Sequence, residues 1–232
     1  MLVTGLSCLL GASAEELEET VDHIGVDALR GVLSINPHSV NAISGWRAKI
    51  NLPREHHHRS LASIREILDA STLDETARQL ALDTFVILAR AEASVHDIPV
   101  EKVTFHEVGA LDSILDICVS AALFSKIAPK NFYCSPLPLC DGVIKCEHGD
   151  LATPAPAVQE MLTDVPVYGL ASSGETITPT AIAFLRASGA RFGNWPAVSV
   201  KRIVRVYGGR ILPGVPNGAI FSLAEEFSLS EH

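Results

Sequence analysis

Apolar and polar positions along the chain alternate between two periods, helical in the first half and increasingly extended in the second. Ser13 with Glu16 has the spacing of a capping box, which predicts a short acidic helix running to His23 with Gly25 as its terminator. Residues 31 to 55 read as strand and loop, with Asn36-Pro37 as a break and Trp46 to Leu52 as a strand leading to Pro53. Ser60 caps a helix that turns Leu61, Ile64 and Leu68 inward. Thr72 with Glu75 opens a longer one, whose stripe is Leu73, Ala77, Leu80, Thr84, Leu88, Ala91 and Val95, ending before Pro99.

A further helix is expected from about Gly109 to Ser125, with Leu111, Ile114, Leu115, Cys118 and Ala122 on its buried face. Two extended segments around Asp141-Gly142 read as a hairpin with His148 at its exit. Thr153-Pro154 and Thr178-Pro179 each place a hydroxyl residue before a proline suited to a first helical turn, and Gly189 stops the second helix. Val165 to Tyr168, Val198 to Tyr207 and Ala219 to Ala224 read as strands that join the hairpin in a sheet. The alternation predicts an α/β fold, with α+β as the alternative, in which helices pack on a mixed β-sheet.

Composition narrows the function classes. A chain of 232 residues, 47% hydrophobic and 19% charged, can bury a substantial core. With a net charge of −9 and no block of Lys or Arg, it offers no footprint for a nucleic-acid backbone. No apolar run approaches a membrane span, and the opening MLVTGLSCLLG lacks the basic start of a signal peptide, so a cytoplasmic protein is expected. Five cysteines without a C-x-x-C pair fit reduced thiols.

The densest chemistry lies in FHEVGALDSILDI, Phe105 to Ile117. His106 and Glu107 precede a helix start, while Asp112 and Asp116, four apart, share one edge of the helix. Oxygen ligands, an imidazole and helix-end dipoles suit a divalent metal or proton transfer; a helix cap explains Asp112 alone equally well. His56, His57 and His58 form a second cluster, in which His56 and His58 can face one ion from an extended loop. Cys146 and His148 offer a soft and a borderline ligand two residues apart. The segment Glu175 to Thr180 ends at a helix start where Thr178 and Thr180 could hold an anion, although N-capping by Thr178 accounts for much of it.

Six motifs in order, HHHRSL (56–61), FHEVGALDSILDI (105–117), YCSPLPL (133–139), KCEHGDLATPAPA (145–157), VPVYG (165–169) and GETITPT (174–180), resemble the nickel-insertion proteins that complete the nickel-pincer cofactor of lactate racemase. The resemblance implies a lyase-class nickel chelatase, or cyclometallase, acting on pyridinium-3,5-bisthiocarboxylic acid mononucleotide with help from CTP and Mg or Mn. It implies a catalytic group of His106, Glu107, Asp112 and Asp116. Nickel ligands would come from His56, His57, His58, His106, Cys146 and His148, and substrate contacts from Thr178, Thr180 and Glu175. Residues 1–232 are expected to form a single N-terminal-type domain, without the family's usual first strand or its C-terminal CTP-binding domain.

The partners implied are that mononucleotide, a CTP-binding domain or separate chain, and the other proteins of the lactate racemase pathway, with self-association left open. A nickel-binding module or metallochaperone without catalysis is the alternative. A divalent-metal hydrolase using His106, Glu107, Asp112 and Asp116 ranks behind both, since no H-E-x-x-H spacing occurs.

Overall fold

A computed structural model describes residues 1–52, 59–105, 108–146, 149–215 and 217–227, without the side chains of residues 145 and 146. Helix α1 (Leu2–Leu10) opens the chain and ends at Gly11 in the left-handed conformation. The apolar opening, weighed from the sequence only as a signal peptide, is thus a helix ahead of the one expected from Ser13. Helix α2 (Ala14–Asp22) follows, with the expected capping box: Ser13 Oγ accepts from the Glu16 amide, and the Glu16 carboxylate accepts from the Ser13 amide.

Strands β1 (Leu33–Val40) and β2 (Ile43–Ile50) form an antiparallel hairpin around Asn41 and Ala42, both with positive φ. The strand β1 therefore passes straight through Asn36-Pro37, where a break was expected. It lies at the sheet edge, where a residue without an N–H breaks no ladder. Short strands β3 (Arg59–Ser60) and β4 (Thr104–Phe105) pair antiparallel on either side of the helices α3 (Leu61–Ala70) and α4 (Glu75–His96). The cap of α4 is Asp74 rather than Thr72, whose hydroxyl instead lies 2.8 Å from Nδ1 of His23. The α4 stripe is otherwise as expected, except that Val95 is exposed.

Helix α5 (Leu111–Ile127) is the centre of the core. Ile114, Leu115, Cys118, Val119 and Ala121 have no exposed surface, and each fully buried Ile or Leu contributes about 1.5–3 kcal/mol. Helix α5 packs against α1, α4 and α7 (Pro179–Ala187). Helix α1 thus lies between α5 on one side and the sheet on the other. The main sheet has the order β1-β2-β11-β12, with β11 (Val198–Val206) and β12 (Ala219–Glu226) antiparallel and β2 joined to β11 in parallel at Trp46 and Val206.

The remaining strands lie outside this sheet. They are β5 (Tyr133–Cys134), β6 (Leu137–Asp141), β7 (Val143–Cys146), β8 (Gly149–Ala152), β9 (Val167–Ser173) and β10 (Arg191–Phe192). Strand β6 runs parallel with β9, and β7 antiparallel with β8. Asp141-Gly142 is therefore not a hairpin turn but a joint between strands with different partners, and the Val165–Tyr168 region belongs to the β6–β9 pair. Thr153-Pro154 precedes rather than opens α6 (Pro156–Met161), whose first residue is Pro156. The α/β architecture with helices on a mixed sheet holds; the sheet draws on the N-terminal hairpin in place of the middle segments.

Candidate functional site

The start of α5 has no side-chain cap, because its N-cap residue is Ala110. Asp112 occupies the first turn, where the helix dipole favours a carboxylate, and its Oδ1 accepts from the Ser113 amide at 2.8 Å. Asp116 follows one turn later on the same edge. Helix α7 begins at Thr178, whose Oγ1 accepts from the Ala181 amide and lies 3.1 Å from the Thr180 hydroxyl.

These two helix starts converge on one cavity of about 410 Å³, lined by Asp112, Asp116, Thr178 and Thr180. The first turn of α1, the end of β2 and the Tyr207-Gly208-Gly209 segment after β11 complete its walls. The volume is within the range of small-molecule sites. A second hollow of about 390 Å³, between α2 and α3, is lined mainly by Ile24, Val26, Ile67 and Ala70 with Glu66 as its only carboxylate. The convergence of polar groups singles out the first cavity.

Burial pushes the Asp116 carboxyl above the ordinary carboxylate range. The amino group of Met1 opposes this, and the neighbouring charge of Asp112 reinforces it. The hydroxyl of Thr4, in the first turn of α1, is buried and has no hydrogen-bond partner among the described residues, although Thr4 lines the cavity. Thr4, Tyr207 and the Gly208-Gly209 pair were not singled out in the sequence. Only a hydroxyl in an apolar run and a Gly-Gly following a strand hinted at them.

The other expected site residues divide between described and undescribed positions. Glu175, just ahead of α7, lies 3.5 Å from Nη1 of Arg210 and is not in the cavity wall. His56, His57, His58, His106, Glu107 and His148 fall outside the described residues, as does the side chain of Cys146. Their described neighbours, however, are informative. Arg59, next to the histidine run, pairs directly with Phe105, next to His106, and Arg59 Nη1 donates to the Gly109 carbonyl at 2.7 Å. Gly109 allows that closeness: a Cβ there would stand 3.0 Å from the Phe105 carbonyl oxygen and 3.1 Å from the Arg59 nitrogen. Among the described residues, no three His, Cys, Asp or Glu side chains form a metal-ligand group, and no helix is long and apolar enough to cross a membrane.

Comparison with known proteins adds a family. The sequence profile described as nickel insertion protein matches residues 1–231. A relative from Geotalea daltonii is 35% identical over 208 residues, 90% of this chain and 53% of its own length. A pyridinium-3,5-bisthiocarboxylic acid mononucleotide nickel insertion protein of Desulfitobacterium hafniense is 36% identical over 161 residues, 69% of this chain and 40% of its own. One with the same name from Staphylococcus epidermidis is 32% identical, over 84% of this chain and 49% of its own. The chain spans about half the length of the curated relatives it matches. No solved structure matches.

Proposed function

The chain belongs to the nickel insertion protein family, and from that premise we propose that it carries the nickel- and substrate-handling part of an enzyme that inserts Ni(II) into pyridinium-3,5-bisthiocarboxylic acid mononucleotide. Nickel is here a substrate. In the reaction two sulfurs and a ring carbon become ligands of the metal. The electron pair of the ring C–H bond becomes the carbon–nickel bond, and the proton leaves to a base. His106 or Glu107 is the base in this reading, with Asp112 and Asp116 facing the bound nucleotide. His56 to His58 capture the ion through imidazoles and surrender it to the substrate's softer sulfurs, with Cys146 and His148 as further ligands. The reaction is of the lyase type. CTP and its Mg or Mn ion act from a separate domain, and the site of action is the cytoplasm, alongside the lactate racemase pathway proteins.

One observation carries this reading: the direct pairing of Arg59 with Phe105, which joins the ends of two chemically complementary segments 46 positions apart in the sequence. Two tests follow. Calorimetric titration with nickel should show weaker binding for a His56→Ala/His58→Ala variant than for the parent chain. Unchanged affinity removes the histidine run from the site. Mixing the chain with a CTP-binding partner domain, CTP, Mg or Mn, nickel and the bisthiocarboxylated nucleotide should produce the absorbance of the metallated product. Nickel binding without product would favour a nickel-carrying module that lacks catalysis.

A further inference from the structure

The main sheet is unevenly joined. Strands β1 and β2 pair along their whole length, from Leu33 with Ile50 to Val40 with Ile43, and β11 pairs with β12 from Val198 with Glu226 to Val206 with Ala219. Strands β2 and β11 meet only at Trp46 and Val206, where the Tyr207 amide donates to the Trp46 carbonyl at 2.8 Å. Alternate residues of a strand send their main-chain groups to opposite sides. The Asn51 amide donates to the Val32 carbonyl across the hairpin, so Trp46, Ala48 and Ile50 face away from β1, toward β11. Past Trp46 that side is open. Among the described residues the amides and carbonyls of Ala48 and Ile50 have no hydrogen-bond partner, and neither do the amides of Gly208 and Gly209, which follow β11. All four residues line the cavity described above. Free edge groups of this kind are what an added strand pairs with.

The direction of α1 identifies the segment. Its start lies beyond the end of β11, where a Cβ on Gly208 would meet the Met1 sulfur at 3.7 Å. Its middle crosses the sheet at Gly5, against Phe221, the partner of Val204, and near its end the Leu9 carbonyl accepts from Arg202 Nη1 at 2.6 Å. Helix α1 therefore runs antiparallel to β11, and so to β2. A strand leading directly into a helix that lies back on its own sheet runs antiparallel to that helix. A segment entering ahead of α1 is thus parallel to β2 and β11, the orientation these two already share.

We propose that the edge of β2 past Trp46 is the seat of a further strand, an extended polypeptide segment that leads into α1 and bonds through its main chain to Ala48 and Ile50. Met1, the N-cap of α1, itself lines the cavity, so such a segment reaches the edge through one turn. The curated relatives hold chain outside the part matched here, which is about half of their length. Ala48 and Ile50 share their cavity with Asp112 and Asp116, so the bound segment becomes part of the wall of that site. The inference is independent of the substrate assignment above.

Amide hydrogen exchange on the whole chain, with and without an extension fused ahead of Met1, tests this. The extension is an alternating Val-Thr strand followed by a Gly-Ser turn, and an all Gly-Ser extension of equal length is the control. The strand extension should slow exchange of the Ala48 and Ile50 amides about tenfold or more, as a main-chain hydrogen bond does, and raise the thermal midpoint. The control should do neither. Ala48→Pro should abolish the gain in thermal midpoint yet leave the unextended chain close to the parent, because the Ala48 amide makes no bond to β1 and proline is tolerated at such an edge. Ile50→Pro, whose amide faces the same way, serves as the second variant. A circular dichroism spectrum matching the parent confirms that each variant is folded.

Exchange at Ala48 and Ile50 that the strand extension leaves unchanged, or a gain in thermal midpoint that survives both proline variants, would overturn the proposal. So would protection of these two amides in the unextended chain. If that protection fades on dilution, the edge belongs to a second copy of the chain instead.

Discussion

Tyr207 lies across Gly45. Its hydroxyl donates to the Ile43 carbonyl at 2.8 Å, and a Cβ placed on Gly45 would stand 2.7 Å from the Tyr207 ring and 2.7 Å from the Arg205 carbonyl oxygen. The ring of His38, which pairs with Gly45 across the hairpin, meets Tyr207 edge-on with centroids 5.7 Å apart. This contact closes the sheet beside the parallel junction between β2 and β11 at Trp46 and Val206, immediately before Gly208 and Gly209. Gly45→Ala should therefore force backbone apart, costing about 1–3 kcal/mol in a urea melt, as overpacking of a filled site does. It should also weaken mononucleotide binding by displacing the Gly208-Gly209 segment. A melt that matches the parent would show that Tyr207 is free to move.

The second close approach is between Gly5 and Phe221. A Cβ on Gly5 would come within 2.5 Å of the Phe221 ring, so α1 can lie on β12 only because position 5 has no side chain. Helix α1 also supplies Thr4 to the cavity. Gly5→Ala should lower the thermal midpoint despite the better helix propensity of alanine, which is worth about 1 kcal/mol in the opposite direction. Phe221→Leu should relieve the clash in the double variant. Additive losses in that double-mutant cycle would refute the contact.

Asp74 ties two helices together. Its Oδ1 accepts from the Ala77 amide at 2.9 Å as the cap of α4, and from the Ser125 hydroxyl near the end of α5 at 2.8 Å. Asp74→Ala removes both and should cost about 1–2 kcal/mol by chemical denaturation, whereas Asp74→Asn keeps an acceptor and should recover most of it. Equal losses in the two variants would mean that charge at the α4 N-terminus, rather than the hydrogen bonds, sets the effect.

The fold was readable where one local rule decided it. The capping box at Ser13 and Glu16, the Thr178-Pro179 start of α7 and the stripe on α5 each rest on contacts within a turn or two, and each is found. Partner choice between distant strands was not readable. Asp141-Gly142 looks like a hairpin turn by composition, yet β6 takes β9 and β7 takes β8, because pairing is decided by packing across the molecule. The same holds for the site. Asp112, Asp116, Thr178 and Thr180 were nameable from helix starts, and they do share one cavity. Thr4 joins them only through the placement of α1, which no spacing in the sequence encodes.

Burial also predicts which thiols stay silent. It pushes the Cys118 thiol up to about 12 and that of Cys134 up to about 11. Since the thiolate is the reactive form, neither should be alkylated by iodoacetamide near neutral pH in the folded chain, while both should react fully in urea at the same pH. Mass spectrometry of the digested protein reads this directly. Rapid native labelling of Cys118 would mean that α5 opens far more readily than its central packing allows.

The last prediction concerns the cost of keeping Asp116 in the cavity. Burial raises its carboxyl pKa in the folded chain above the ordinary value of 3.8. The folded state therefore binds the proton more tightly than the unfolded state does. Between the unfolded and the raised folded pKa, stability must fall as pH rises, and above both the full penalty is present. Asp116→Asn removes the titrating group, so it should be more stable than the parent at neutral pH. The gap should close as pH is lowered toward 3.8 and below, where the parent carboxyl is neutral in both states. Urea melts of the pair across that range test the sign. The same variant should weaken binding of the proposed mononucleotide substrate, because an amide is a poorer hydrogen-bond acceptor than a carboxylate. A variant that gains stability and loses ligand is what a residue retained for binding predicts. One that loses stability at neutral pH would instead make Asp116 a structural hydrogen-bonding group of the α1–α5 contact.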